Sequence, residues 1–234
     1  MHLWSSFIVL GFSAGAALAA PGLKRAPAGP QGIDVSGYQP GIDWNAVKAN
    51  GVEFAYVKAT QGTTYTSPEF ANQYNGAYNV GIIRGAYHFA EPVSSSGVDQ
   101  ANYFLQNGGG WSNDGKTLPG ALDLEGLDGV ECGLSGAPMV NWIKEFVDTY
   151  YAATTRYPVI YTRTNWWIDC TGNSDAFGAN SPLWIARYED VVGDLPAGWS
   201  TWTIWQYSNS SATNPGDPDV FNGDSAGIAK LASG

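Results

Sequence analysis

Two carboxylates with one residue between them, Asp123 and Glu125 in the run Leu118-Pro-Gly-Ala-Leu-Asp-Leu-Glu-Gly126, carry the clearest chemical signal in this chain. Pro119, Ala121, Leu122 and Leu124 read as a short buried strand, and Gly126 opens a loop. Side chains at i and i+2 of a strand share a face, so both carboxyls emerge together. Two acids buried at the end of an apolar strand are costly unless paired or employed. Both will not ionise easily, so one pKa should rise, as general acid catalysis requires. Alone, Asp-x-Glu is a weak motif, and a salt-bridged pair or a set of metal ligands would be the better reading.

Other residues change that balance. Asp34 sits in Ile33-Asp-Val-Ser36, and Asp217 and Asp219 sit in Gly216-Asp-Pro-Asp-Val-Phe-Asn-Gly223. Taken singly, Asp34 could as well cap a turn, and Asp217-Pro218 resembles a turn initiator. Taken with Asp123 and Glu125 they describe an acidic pocket, edged by Tyr38, Tyr87, Tyr161, Trp184, Trp205 and Tyr207. Ten Trp and thirteen Tyr exceed the needs of a core. They suggest a surface that stacks on the apolar faces of sugar rings, although several will simply be core. His88 reads as a hydrogen-bonded interior histidine with a positioning role at most. Lys58 and Arg84 are expected to pair with the acids and are given no chemistry.

The elements that must position these groups alternate along the chain. Strands are expected at 32–36, 53–59, 82–89, 119–124 and 157–162, with helices at 43–50, 67–81, 98–107 and 138–154. Ser67 is expected to cap the second helix, with Pro68 in its first turn. Beyond 162 the helical signal weakens and strands at 182–188, 201–207 and 219–221 dominate, before a closing helix at 225–231. Strand–helix alternation implies a parallel sheet with right-handed crossovers. Eight strands can close into a barrel, whose functional groups gather at the strand C-termini. Polar residues recur there: Asp34, Lys58, His88, Asp123, Glu125, Tyr161, Arg187 and Gln206.

Composition bounds the class. Of 234 residues, 44% are hydrophobic and 14% charged, which fits a packed globule. Phe7–Phe12 is an apolar h-region and Ala17-Leu-Ala19 a small-residue cleavage pattern, so residues 1–19 read as a signal peptide. Residues 20–25 read as a short prosegment ending in Lys24-Arg25, and residues 26–234 as one catalytic barrel domain. A secreted, extracellular, monomeric protein is expected, with no membrane span. One even pair of cysteines, Cys132 and Cys170, in segments read as loops, suggests one disulfide. No structural metal and no cofactor are expected. Asn209-Ser-Ser211 is a glycosylation sequon. Removing residues 1–25 takes away Lys24 and Arg25 and no acids, leaving 9 basic against 21 acidic residues, a net charge of −12. Nucleic-acid binding would need the opposite sign.

Seven ordered motifs carry a family resemblance: Gly32-Ile-Asp-Val-Ser-Gly-Tyr-Gln39, Tyr56-Val-Lys-Ala-Thr60, Gly85-Ala-Tyr-His-Phe89, Asp123-Leu-Glu125, Trp184-Ile-Ala186, Trp205-Gln-Tyr207 and Phe221-Asn-Gly223. From about residue 31 onward the chain resembles glycoside hydrolase family 25, lysozymes of the N-acetylmuramidase type. The resemblance implies a TIM-like irregular α/β barrel, five βα units followed by a β-rich part, (β/α)5(β)3. It implies hydrolysis of the β-1,4 bond between N-acetylmuramic acid and N-acetylglucosamine in a peptidoglycan glycan strand. Glu125 would be the general acid/base, and Asp123 would orient or stabilise a reacting 2-acetamido group. Asp34 and a C-terminal acid would complete the set. Aligning on Phe-Asn-Gly favours Asp217 over Asp219, which joins Tyr38, Tyr87, Tyr161, Trp184, Trp205, Gln206 and Tyr207 as a candidate for substrate binding. Gln61 departs from the pattern, which usually has Glu after Lys-Ala-Thr. Rival readings are a chitinase-like acetamido-sugar hydrolase, a non-catalytic wall-binding lectin and a carboxylate-ligated metal hydrolase.

Overall fold

The computed structural model describes residues 26–127 and 129–234. The expected signal peptide and prosegment lie outside the described residues. Strand β1 (Gln31–Val35) pairs in parallel with β2 (Val52–Gln61), and helix α1 (Trp44–Ala49) links them. After the short β3 (Tyr65–Thr66), α2 (Phe70–Asn79) leads to β4 (Ile83–Phe89) and α3 (Gly97–Phe104) to β5 (Ala121–Asp123). Then α4 (Ala137–Thr154) precedes β6 (Val159–Thr162), and α5 (Thr164–Thr171) precedes β7 (Leu183–Ala186). Strands β8 (Ile204–Gln206) and β9 (Asp217–Phe221) and helix α6 (Ser225–Ser233) complete the order.

Strands β2, β4, β5, β6, β7 and β8 continue the parallel pairing in that order. Strand β9 runs antiparallel to both β8 and β1 and closes the ring. Five βα units and three further strands therefore make an irregular TIM-like barrel, as expected. Because both faces of a closed parallel sheet are covered, β2 carries a nearly continuous apolar run. Inward residues such as Tyr56, Trp184 and Ile204 fill the barrel. Outward residues such as Ile160 and Ile185 pack beneath helices through Phe146 and Trp167. Gly85 has to lack a side chain, because a Cβ there would lie 2.4 Å from the Tyr56 ring.

Four local expectations fail for physical reasons. Helix α2 starts at Phe70 with Glu69 at its cap, because Tyr65 and Thr66 pair back onto β2 and hold Ser67 at a hairpin end. The third helix keeps regular geometry only to Phe104, because Asn107 and Gly108 leave the helical region, Gly108 at a φ of 106° that favours glycine. Helix α5 was not expected: its sequence has weak propensity and no side-chain cap, and burial of Trp166, Trp167 and Cys170 stabilises it. Cys170 thus lies in a helix and not a loop, yet it still forms the disulfide with Cys132.

Candidate active site

The carboxyls are held by the backbone between them. Asp123 ends β5, and Leu124 is pinned to β6 from both sides. Its N–H donates to the Tyr161 carbonyl (3.0 Å), and its own carbonyl accepts the Thr162 hydroxyl (3.0 Å). With the Leu124 side chain buried the other way, Asp123 and Glu125 face one cavity of about 610 Å³. Asp34 and Asp217 stand directly opposite one another in the β1–β9 register and line the same cavity. Because β9 is antiparallel, its N-terminal end lies at the mouth. Asp217 therefore lines the opening while Asp219 lies deeper, fully buried, its Oδ1 accepting the Trp184 indole N–H at 2.8 Å.

Burial dominates the electrostatics. It pushes Asp123 well above the usual carboxyl range, and Glu125 adds to the effect. Asp123 is 6% exposed, and its Oδ1 has no hydrogen-bond partner among the described residues. Burial and Asp217 likewise raise Asp34, against a 2.6 Å hydrogen bond from Gln206. Burial raises Glu125 too, while Arg163, 3.3 Å away, and Lys58 oppose the rise. Burial also keeps Tyr87 and Tyr161 protonated, and the acids around them reinforce this. The result is a cluster of carboxyls that retain protons above their ordinary range, beside phenols that donate hydrogen bonds. Among the described residues, no group of three or more His, Cys, Asp or Glu could hold a metal ion.

Tyr38, Tyr87, Tyr161, Trp184 and Gln206 line the cavity as expected, Tyr38 as a 91% exposed rim residue. Trp184 stacks on Tyr56 at 4.8 Å and meets Tyr161 edge-on at 4.9 Å, which builds an aromatic floor. Trp205 and Tyr207 do not reach the cavity. Alternation along β8 turns Gln206 inward and these two outward, where Trp205 bonds the Arg187 carbonyl and Tyr207 the Gln31 side chain. Arg84 pairs with Asp114 and not with the cavity acids. Lys58 lines the cavity, but its ammonium donates to Gln61 (2.7 Å) and forms no salt bridge with an acid among the described residues. Arg187 lies beside a neighbouring cavity. Most other Trp are core, Trp44, Trp142 and Trp199 among them.

Sequence reasoning missed Arg163 and Tyr188, which line the cavity. Each lies just beyond a strand's C-terminal end, and extending the strand-end rule by one or two residues would have found both. Exposed Asn209 of the sequon lies at the cavity rim.

The model of glycosyl hydrolases family 25 matches residues 33–216. The N,O-diacetylmuramidase of Arthroderma benhamiae is 47% identical over 233 residues, 98% of each chain. The N,O-diacetylmuramidase of Chalaropsis sp. is 49% identical over 210 residues, covering 87% of this chain and 99% of that protein. The solved muramidase of Acremonium alcalophilum is 54% identical, covers 87% of this chain and 99% of its own, and superposes with a TM-score of 0.85. Sequence and fold agree over the whole barrel, and the chain belongs to glycosyl hydrolases family 25.

Proposed function

We propose that this glycoside hydrolase is a secreted, monomeric lysozyme whose single catalytic domain cuts the β-1,4 bond between N-acetylmuramic acid and N-acetylglucosamine in peptidoglycan. The observation that carries the reading is the pair of acids after β5. A proton-retaining Glu125 stands beside a buried Asp123 whose Oδ1 has no hydrogen-bond partner among the described residues. An acetamido N–H of the bound sugar would satisfy that oxygen and orient the amide carbonyl towards the anomeric carbon. The N,O-diacetylmuramidase names of two relatives near half identity support the muramyl bond as the target.

In the first step Glu125 gives its proton to the leaving glycosidic oxygen as the C–O bond breaks. The acetamido oxygen bonds the anomeric carbon, and Asp123 takes up the charge developing on the amide nitrogen. In the second step Glu125, now ionised, takes a proton from water. The hydroxyl adds to the anomeric carbon and the ring formed with the acetamido group opens. Asp34 and Asp217 favour the cationic transition state. Two displacements retain configuration, so an α-anomer formed first would exclude this route.

Mass spectrometry of fragments from purified peptidoglycan tests the bond assignment. Reducing-end N-acetylmuramic acid is expected; reducing ends from chitin alone would reverse it. Glu125→Gln should abolish lysis in a protein that still folds.

A further inference from the structure

Arg163 presents a conflict with the chemistry just described. A general acid must hold a proton, whereas a guanidinium 3.3 Å from the Glu125 carboxylate favours the ionised form. The contact is also incomplete. One Nη meets one oxygen, so the two-pronged pairing that arginine offers a carboxylate is unused. Arg163 is 52% exposed, against 25% for Glu125, and besides Glu125 its side chain hydrogen-bonds Tyr188 at the cavity wall, so it can swing about that contact without leaving the cleft. It lies 5.8 Å from the Tyr188 ring centre, between the main cavity and a neighbouring one of about 500 Å³.

Two cations line the main cavity among the described residues, Lys58 and Arg163. The Lys58 ammonium is bound to Gln61 at 2.7 Å and lies 4.6 Å over the Phe89 ring, which leaves it little freedom to move. Arg163 is the cation that can reach a ligand. The surrounding chain is strongly acidic, so a substrate that carries carboxylates needs a local cation to hold its charged portion in register.

We propose that Arg163 is the carboxylate-recognition residue of this cleft. In the complex it leaves Glu125 and pairs with a carboxylate borne by the muramyl residue, on its lactyl group or its peptide stem. The exchange swaps one carboxylate partner for another and frees Glu125 to act as an acid. It ties activation to the sugar that carries the charge and disfavours uncharged chitin. This inference rests on the muramidase reading and names how that substrate is selected.

Three glycans test it: purified peptidoglycan, the same material stripped of stems by an amidase, and peptidoglycan with its carboxyls capped as amides. Binding is measured by calorimetry on soluble fragments in a Glu125→Gln background, where no turnover occurs. Charged fragments should bind about tenfold or more tighter than capped ones, the range for a charge-assisted pair. Adding Arg163→Gln should bring the ratio close to one, and Arg163→Lys should restore part of it. Preference for stem-free glycan would assign the lactyl carboxylate; preference confined to stem-bearing glycan would assign the stem. In the active enzyme, Arg163→Gln should lower kcat/KM on peptidoglycan and not on the capped form. It should also move the upper limb of the pH profile to higher pH. An unchanged charged-to-capped ratio in Arg163→Gln, or an equal loss on both glycans, would overturn the proposal. Failure of the unmutated enzyme to cut any of the three glycans would sink the muramidase reading instead, and the binding ratios would still decide the role of Arg163.

Discussion

Gln206 donates its side-chain N–H to Asp34 Oδ2 at 2.6 Å, while its Oε1 accepts the hydroxyls of Tyr161 (2.9 Å) and Tyr188 (2.8 Å). Two phenols fix the amide orientation, and that orientation obliges Gln206 to donate to Asp34. Gln206→Leu keeps the volume and takes one hydrogen bond each from Asp34, Tyr161 and Tyr188. Each such loss costs about 1–3 kcal/mol when buried, and cavity water relieves part of that, so a net loss of roughly 2–3 kcal/mol is expected. Urea unfolding followed by fluorescence measures it, and a loss within error would show that water replaces the amide fully.

Gln206 was legible as a strand-end polar residue, while its neighbours Trp205 and Tyr207 are aromatic candidates for the pocket edge that the structure turns outward. Strict alternation would have separated them. The barrel was legible because its strands carry apolar runs between helices with clear periodicity. Helix α5 was not, since Thr164-Asn-Trp-Trp-Ile-Asp lacks propensity and cap and forms only against the core. Asp217 was placed at the mouth by motif spacing alone. The structural reason, an antiparallel β9 that puts its first residues at the opening, depends on pairing between strands far apart in sequence. The Arg163–Glu125 contact spans 38 positions, and no local pattern announces it.

Asp219 should make stability depend on pH in an unusual direction. Burial and Asp34 raise its carboxyl well above 3.8, despite the hydrogen bond from Trp184. Above 3.8 the unfolded chain has released a proton that the native state still holds. Its contribution to stability therefore falls as pH rises through that window. Asp219→Asn keeps an oxygen for Trp184 and removes the titration. Measured by chemical denaturation, the stability of the variant relative to the parent should improve from about pH 4 to about pH 8. A difference independent of pH would show that Asp219 titrates alike in both states.

His88 should behave in the opposite sense. Burial lowers its pKa from 6.5 to about 4. Gln100 donates its amide to the Glu91 carbonyl, so its Oε1 accepts from His88 Nε2–H at 2.9 Å, and Nδ1 accepts the Thr60 hydroxyl at 2.7 Å. The unfolded chain takes up a proton below 6.5 that the native imidazole refuses until about 4, so stability is lost as pH falls between them. NMR should find the His88 ring resonances flat through 6.5 and moving only near 4. A midpoint near 6.5 would refute a neutral, doubly bonded ring.

The disulfide connects the two segments that carry Glu125 and Arg163. Cys132 follows Glu131, whose carbonyl accepts the Trp166 indole at 2.6 Å, and Cys170 lies in α5, which starts just after Arg163. Its partners are 38 positions apart, and closing such a loop is worth roughly 4 kcal/mol by chain entropy. Replacing both cysteines with serine should lower the melting temperature. It should also reduce lysis at temperatures where circular dichroism still reports a folded barrel. Parallel losses of activity and structure would show that the bond supports only global stability.

Gln61 shapes how Lys58 acts on the acids. Lys58 donates to Gln61 Oε1 at 2.7 Å, and Gln61 donates in turn to Glu91 Oε1 at 2.7 Å. As an amide, Gln61 holds the ammonium without neutralising it, so the positive charge still opposes the raised pKa of Glu125. Gln61→Glu would pair directly with Lys58 and cancel much of that charge. It would also remove the N–H from Glu91 and set two carboxylates together. Glu125 should then hold its proton to higher pH, moving the upper limb of the kcat/KM profile upward. Gln61→Met breaks both hydrogen bonds without adding charge and should produce no upward move. If Gln61→Glu leaves the limb in place while Lys58→Met shifts it, the ammonium acts on Glu125 regardless of what binds it; if neither variant shifts it, Lys58 has no electrostatic hold on the acid.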